Sequence, residues 1–430
     1  MLVANELGLG GTEKGLVAHA RAFDPERVEV RVVAVKELGP RAHELSEAGI
    51  PVDCAEGERD RLVELLRGAE LVHAFRSGGR EPLLPDARRA AGVPHLVETN
   101  VFGQVDPADG DAFDCHLFVG KMCALRYRKR LGFDGAGFHR RHRVSHWPLD
   151  LERLRRDAPE PAAAKEALGL DPARPVVGRL GRDDDRKWRD IVVDMVPELL
   201  RLQPDAQVLL VGATPAKLRR LDRLGVLEQV VTLPPTSDET RLRTLYRACD
   251  AFVTAAEIGE SYSVAICEAL ALGIPVVTCS TPWVDNGQIE QVDNGENGWV
   301  ADHPRPFAEA VATLLGEPER RAAFSAAAAA KADARWDARV LTRQLEGLYA
   351  ELARAAAPRP WSPAPDEVDA FAGEYDERLQ TQFRPLTGAE RREVRLARRR
   401  ERTRWAARAA SRLDREQAAL ALSMLRARFS

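Results

Sequence analysis

Cysteine is scarce, with 6 among 430 residues, and no two stand at C-x-x-C spacing. That excludes a disulfide framework and a thiolate zinc site, and it fits a reducing compartment. Long apolar runs are missing as well: none approaches the ~20 residues needed to cross a bilayer. The opening MLVANELGLGG lacks a basic stretch followed by an apolar segment and a cleavage site. The expectation is a cytoplasmic protein with no signal peptide. Neither sign of charge dominates, with 63 Lys+Arg against 66 Asp+Glu. The overall balance therefore does not point to nucleic acid. What is present is the composition of a folded protein, 45% hydrophobic and 30% charged. At about 100–200 residues per domain the length implies two or three domains.

Short β-branched runs alternate with longer helical patterns. Strands are expected near 29–36 and at ELVHAF (70–75), PHLVET (94–99) and CHLFVG (115–120), with helices at 12–23, 39–48, 80–91 and 122–131 between them. The alternation restarts at RPVVGRL (174–180), QVLLVG (207–212), QVVTLP (229–234), DAFVTA (250–255) and IPVVTC (274–279), with helices at 190–203, 238–248 and 262–272. Such alternation predicts βαβ units and parallel sheets covered on both faces. The fold class expected is α/β, two doubly wound Rossmann-like domains with a cleft between them. The first spans 1–150 and the second 151–356, and a helical extension covers 357–430. Residues 140–170, charged and without a strand after Trp147, read as the link between lobes. Ligands of such sheets sit beyond the carboxyl ends of the strands.

Three motifs fall at those ends. Gly8-Leu9-Gly10-Gly11-Thr12-Glu13 follows the first strand and opens a helix. Glycines let a backbone approach phosphate closely, and a helix start offers N–H groups. It is not the dinucleotide fingerprint, whose third glycine would fall at Glu13. A plain strand-to-helix turn is an equal reading. In the second lobe Glu260 and Glu268 bracket the start of a helix, where two carboxylates can hold two different polyols. The N–H groups at 261–264, among them those of Ser261, Tyr262 and Ser263, suit phosphate; by spacing alone, a helix-favouring glutamate and a solvated one explain the pair better. Third, Arg179, Arg182 and Lys187 crowd the loop after strand 174–180, where cations can neutralise a departing diphosphate. The run Asp183-Asp184-Asp185 lies in the same loop, flanked by bases that offset it.

The ordered set GRLGRDDDRKW (178–188), LLVGATP (209–215), DAFVTAAEIGESYSVAICEALALGIPVV (250–277) and DNGENGWV (293–300) resembles the family-4-type retaining glycosyltransferases of the GT-B fold. GLGGTEKGL (8–16), ELVHAF (70–75), LFVGK (117–121) and HWPLD (146–150) support it in the first lobe. The resemblance implies a UDP- or GDP-sugar donor held by the second lobe and an acceptor held by the first. It implies that Glu268 holds the ribose and Glu260 the transferred sugar, with Arg179 and Lys187 on the diphosphate. Gly10 and Gly11 would close over the phosphates, and the loops after Gly212 and around Pro235 would hold the base. No metal or other cofactor is implied, because the basic pair takes the metal's place.

The chain departs from the family pattern at three places. The Arg179–Lys187 interval is long, which leaves Arg182 as an alternative phosphate ligand. Ser261 and Tyr262 stand where a glycine and an aromatic are usual. Asn100 stands where many members carry a histidine, and it cannot exchange a proton near neutral pH. His73 matches a common first-lobe histidine and reads equally well as a buried structural one.

From Glu390 onward thirteen Arg face five Asp+Glu, a net of +8, with Val394, Ala397, Trp405, Ala409 and Leu413 near one helical face. Packing against the first lobe, attraction to anionic lipid at the inner membrane face, and nucleic-acid binding are the three readings, in that order. The acceptor expected is a carbohydrate chain, a lipid-linked sugar or a small metabolite. The rival functions are a nucleotide-sugar 2-epimerase of the same fold and a non-catalytic sugar-nucleotide-binding scaffold.

Overall fold

The protein was studied as a computed structural model, which describes residues 1–106, 108, 110–131, 135–281, 284–354 and 360–381. The first sheet is built from β1 (Leu2–Glu6), β2 (Val32–Glu37), β3 (Val52–Cys54), β4 (Leu71–Arg76), β5 (His95–Asn100), β6 (Cys115–Phe118) and β7 (His142–Val144). Their spatial order is β3-β2-β1-β4-β5-β6-β7, and every pairing is parallel. The runs are nearly continuous in Val, Leu and Ala because helices cover both faces, so alternation of polar residues has no place. Val32, Leu96, Val97 and Leu117 are fully buried.

The second sheet contains β8 (Val176–Leu180), β9 (Gln207–Val211), β10 (Val230–Leu233), β11 (Ala251–Thr254), β13 (Val276–Thr278) and β15 (Gly298–Val300), in the order β10-β9-β8-β11-β13-β15. Two further strands of two residues each, β12 (Gly259–Glu260) and β14 (Asp285–Asn286), pair beside it. Each sheet reverses its strand order once. The reversal lies between β1 and β4 in the first lobe and between β8 and β11 in the second. A crevice opens at such a point, because the connections on its two sides run to opposite faces.

Several expectations are refined. Residues 140–170 are not all link, since His142–Val144 is the outermost strand of the first sheet. The helix expected over 190–203 is two pieces, Ile191–Asp194 and Val196–Leu202. Pro197 lies at the start of the second piece, where it has no N–H to continue the first. The helix expected from Tyr262 runs Val264–Ala271, with Ser263 as its N-cap residue. The Pro-rich stretch gives way to a helix at Pro365–Thr381. The basic stretch from Glu390 onward lies outside the described residues.

The helix Ala338–Leu352 returns to the first lobe and packs on the helix Gly11–Ala22. Its Thr342 hydroxyl is 2.8 Å from His19 Nδ1, and Tyr349 Oη is 2.6 Å from His73 Nδ1. His73 Nε2 lies 2.8 Å from Thr99 Oγ1, which fits the structural reading of this histidine. Beside this return, Leu149 N–H donates to Trp336 O (2.7 Å) and Ala338 N–H to Leu149 O (2.9 Å). One apolar core runs through both lobes, from Phe118, Tyr127 and Phe138 to Ile266, Leu270 and Trp336. No helix among the described residues is long and apolar enough to cross a membrane.

Candidate functional site

The loop after β8 is shaped by one buried arginine. The Arg179 side chain turns back under its own loop. It donates to Lys187 O at 2.6 Å and to Leu180 O, and its guanidinium lies 4.3 Å from the centre of the Trp188 ring. Trp188 is itself buried and donates its indole N–H to Arg182 O at 2.9 Å. Burial brings the Arg179 pKa down to about 10, with Glu260 and Tyr246 opposing the shift. The arginine stays charged at neutral pH.

This packing projects Lys187 into the cleft, where its ammonium donates to Glu260 Oε2 at 2.9 Å. Glu260 is presented by the short strand β12. Gly259, at φ +67°, turns the chain into that strand, and a Cβ there would overlap Asp285 O. Arg179, Lys187 and Glu260 therefore come together at the β8/β11 reversal. Arg182 is exposed, its carbonyl accepts from the Trp188 indole, and its charge acts on Asp184 rather than on Glu260. The three aspartates diverge. Asp184 caps the turn that follows it and pairs with Arg186 at 2.8 Å, while Asp185 accepts from Thr214 Oγ1 at 2.5 Å.

Glu268 lies one turn into the helix Val264–Ala271 and is buried. Its Oε2 accepts from the Tyr246 hydroxyl at 2.9 Å and its Oε1 from the Lys14 ammonium at 2.6 Å. Lys14 belongs to the first lobe, one turn into the helix that Gly10 caps. The glycine turn approaches the second lobe closely, so that a Cβ on Gly11 would lie 3.3 Å from Val264 Cγ2. Lys14 also reaches Glu239 at 3.2 Å. Burial disfavours its charge, but Glu268 and Glu239 outweigh this and raise its pKa.

The other expected positions are less direct. Gly212, at φ +76°, folds the loop after β9 against Gly181 O. The Ser261 hydroxyl donates to Asp285 Oδ2 at 2.6 Å. Ser263 N–H is taken by Gln291 Oε1 at 2.9 Å. The Tyr262 hydroxyl accepts from the Trp336 indole at 2.5 Å, beside His146, so its ring is part of the packing between lobes. Asn100 is fully buried, donating to Gln104 O (2.8 Å) and Glu98 Oε1 (3.2 Å), and does not face the cleft.

Lys14, Glu239 and Tyr246 were not among the residues singled out in the sequence. Lys14 had a usable signal, since it stands one helical turn beyond the glycine pair. Tyr246 and Glu239 had none, because only the fold brings them to Glu268.

Residues 174–317 match the glycosyl transferases group 1 family. Over 191 residues the chain is 36% identical to a D-inositol 3-phosphate glycosyltransferase of Rhodococcus jostii (strain RHA1), covering 42% of this chain and 40% of that protein. Over 204 residues it is 30% identical to the lipopolysaccharide core biosynthesis mannosyltransferase LpsB of Rhizobium meliloti (strain 1021), covering 44% of this chain and 56% of that protein. The fold matches that of Anabaena Alr3699/HepE, solved in complex with UDP and glucose, with a TM-score of 0.64 at 20% identity, over 83% of this chain and 99% of that one. A glycosyltransferase from Rickettsia africae ESF-5 gives a TM-score of 0.68 at 13% identity, over 83% of this chain and 99% of that one. Two facing Rossmann-like lobes with C-terminal helices define the GT-B class. The chain spans about two fifths of the length of the Rhodococcus relative, and within the GT-B class it is the second-lobe segment 174–317 that matches the glycosyl transferases group 1 family.

Proposed function

We propose that the protein transfers a sugar from a UDP- or GDP-sugar to an acceptor hydroxyl, with the anomeric configuration retained. The observation that carries this reading is the meeting, at one strand-order reversal, of Lys187, Glu260 and the buried Arg179. A diphosphate at the start of the helix Val264–Ala271 would meet the Lys187 ammonium, backbone N–H groups and the positive end of the helix. Glu260 would then accept from hydroxyls of the transferred sugar, and Glu268 from those of the ribose. Arg179 acts by holding the loop that aims Lys187, and its charge adds to the positive field behind the phosphates.

Charge develops at two places when the donor cleaves: on the leaving diphosphate and on the oxocarbenium-like sugar. Lys187 serves the first and Glu260 the second. The acceptor hydroxyl attacks from the face the leaving group vacates and passes its proton to an oxygen of the departing diphosphate, so no side chain is assigned as a general base. The glycine turn at Gly10 and Gly11 covers the phosphates from the first lobe and limits hydrolysis by water. That solved relatives were crystallised with UDP, UDP-glucose or UDP and GlcNAc supports a uridine donor as the first to test.

The test is a thermal-shift panel of UDP, GDP and their sugars, followed by turnover with and without an added acceptor. A native-state ligand at 100 times its Kd adds about 2.7 kcal/mol of stability, which such a panel resolves. Acceptor-dependent release of UDP or GDP is expected. Conversion of the donor sugar without any acceptor would favour the epimerase instead, and binding without turnover would favour the scaffold.

A further inference from the structure

Glu268 is the carboxylate assigned to the ribose, and it is already covered. Its side chain exposes only 9% of its surface, with the Lys14 ammonium against one oxygen and the Tyr246 hydroxyl against the other. Tyr246 belongs to the same lobe and is part of its core. Lys14 comes from the opposite lobe. A ribose diol can therefore reach Glu268 only by moving Lys14.

Lys14 has somewhere to go. Glu239 Oε1 is 3.2 Å away, at the start of the helix Glu239–Arg247, and the Arg41 guanidinium stands 3.9 Å from that same oxygen. An ammonium that gives up one of two carboxylates keeps its charge compensated, so the cost of the move is one partly buried ion pair. Lys14 rides on the helix that Gly10 and Gly11 open, so its ammonium ties Glu268 to the element that carries the turn over the phosphates.

We infer that Lys14 is a positioning residue that guards the ribose carboxylate: it bridges the two lobes through Glu268 until a nucleoside diphosphate takes that carboxylate. The inference rests on the assignment of Glu268 to the ribose. It adds an interlobe competition that the recognition residues alone do not contain.

The competition has a signed consequence. Removing the ammonium frees Glu268, so a nucleotide should bind more tightly rather than less. With the full-length protein, Lys14→Met is expected to tighten UDP or GDP binding by roughly three- to tenfold in isothermal titration calorimetry, the scale of one partly exposed ion pair. Lys14→Arg, which keeps the charge, should stay within about twofold of wild type. In a Glu268→Gln background the gain from Lys14→Met should vanish, which a structural role for Lys14 would not produce.

Unchanged or weaker binding in Lys14→Met overturns the inference, and weaker binding would make Lys14 a direct ligand of the nucleotide. If Glu268→Gln alone leaves both nucleotides at wild-type affinity, the ribose assignment itself fails. If Glu268→Gln weakens binding while Lys14→Met does nothing, only the guarding role fails.

Discussion

The two lobes follow one plan and differ in where they keep charge. At the strand-order reversal of the second lobe, Lys187 and Glu260 stand in the cleft, each with part of its surface exposed. On β4, β5 and β6 of the first lobe, the polar groups lie beneath the surface. There Arg76 is buried at 3.6 Å from Glu98, and Glu98 Oε1 is 2.6 Å from His116 Nδ1. The two sheets therefore put charge to different work. On the proposed function the second lobe would offer it to a ligand; the first uses it to hold loops and strand ends together. Buried pairs of that kind fix geometry at some cost in desolvation, whereas half-exposed ones remain available for exchange.

The largest expected effect would break this contrast in the second lobe. Glu260→Gln and Lys187→Ala should each lower turnover by about 10²–10³ with little loss of stability, measured as initial rates beside thermal midpoints. Near-wild-type rates in both would remove the chemical meaning of the exposed pair.

An intermediate effect concerns the first lobe and acid. Burial brings the pKa of His19 down to about 3 and that of His142 to about 4. Where the chain leaves that lobe, burial together with nearby Arg335, Lys121 and Lys331 takes His146 to about 3. Between an unfolded value near 6.5 and those folded values, the unfolded chain binds protons that the folded one does not. Stability is thus full above pH 6.5 and falls as pH drops through the window, by about 1.4 kcal/mol per pH unit for each histidine. Urea midpoints at pH 7 and pH 5 should show the loss, and it should be smaller in His19→Gln. An equal loss in that variant would mean that His19 has no part in the acid response.

The smallest effect sharpens the choice between two arginines. Arg182→Ala should change UDP or GDP affinity by less than about threefold, as expected for an exposed charge, read by titration calorimetry. A loss of tenfold or more would return Arg182 to the diphosphate.

The strands were legible because parallel sheets covered on both faces write themselves as apolar runs, such as VVGRL at β8 and VVT at β13. Short elements escaped for the converse reason. Val52–Cys54, Gly298–Val300 and the two-residue pair β12/β14 are held by neighbours and carry no period of their own. Glu260, Arg179 and Lys187 stood out as charges at strand ends, and the structure brings them together. The engagement of Glu268 by Lys14 spans 254 residues, and no local pattern encodes a contact of that kind. Asn100 stands where many members of the family carry a histidine, and the loop around Gly78 closes over it.

The polypeptide passes from one lobe to the other near Leu149 and returns near Asp337, and at that point the two passages are bonded backbone to backbone. A door hung on two pins set side by side swings but does not twist. Opening and closing should therefore run along a single arc, with the glycine turn and the Val264 helix meeting at the same spot on every cycle.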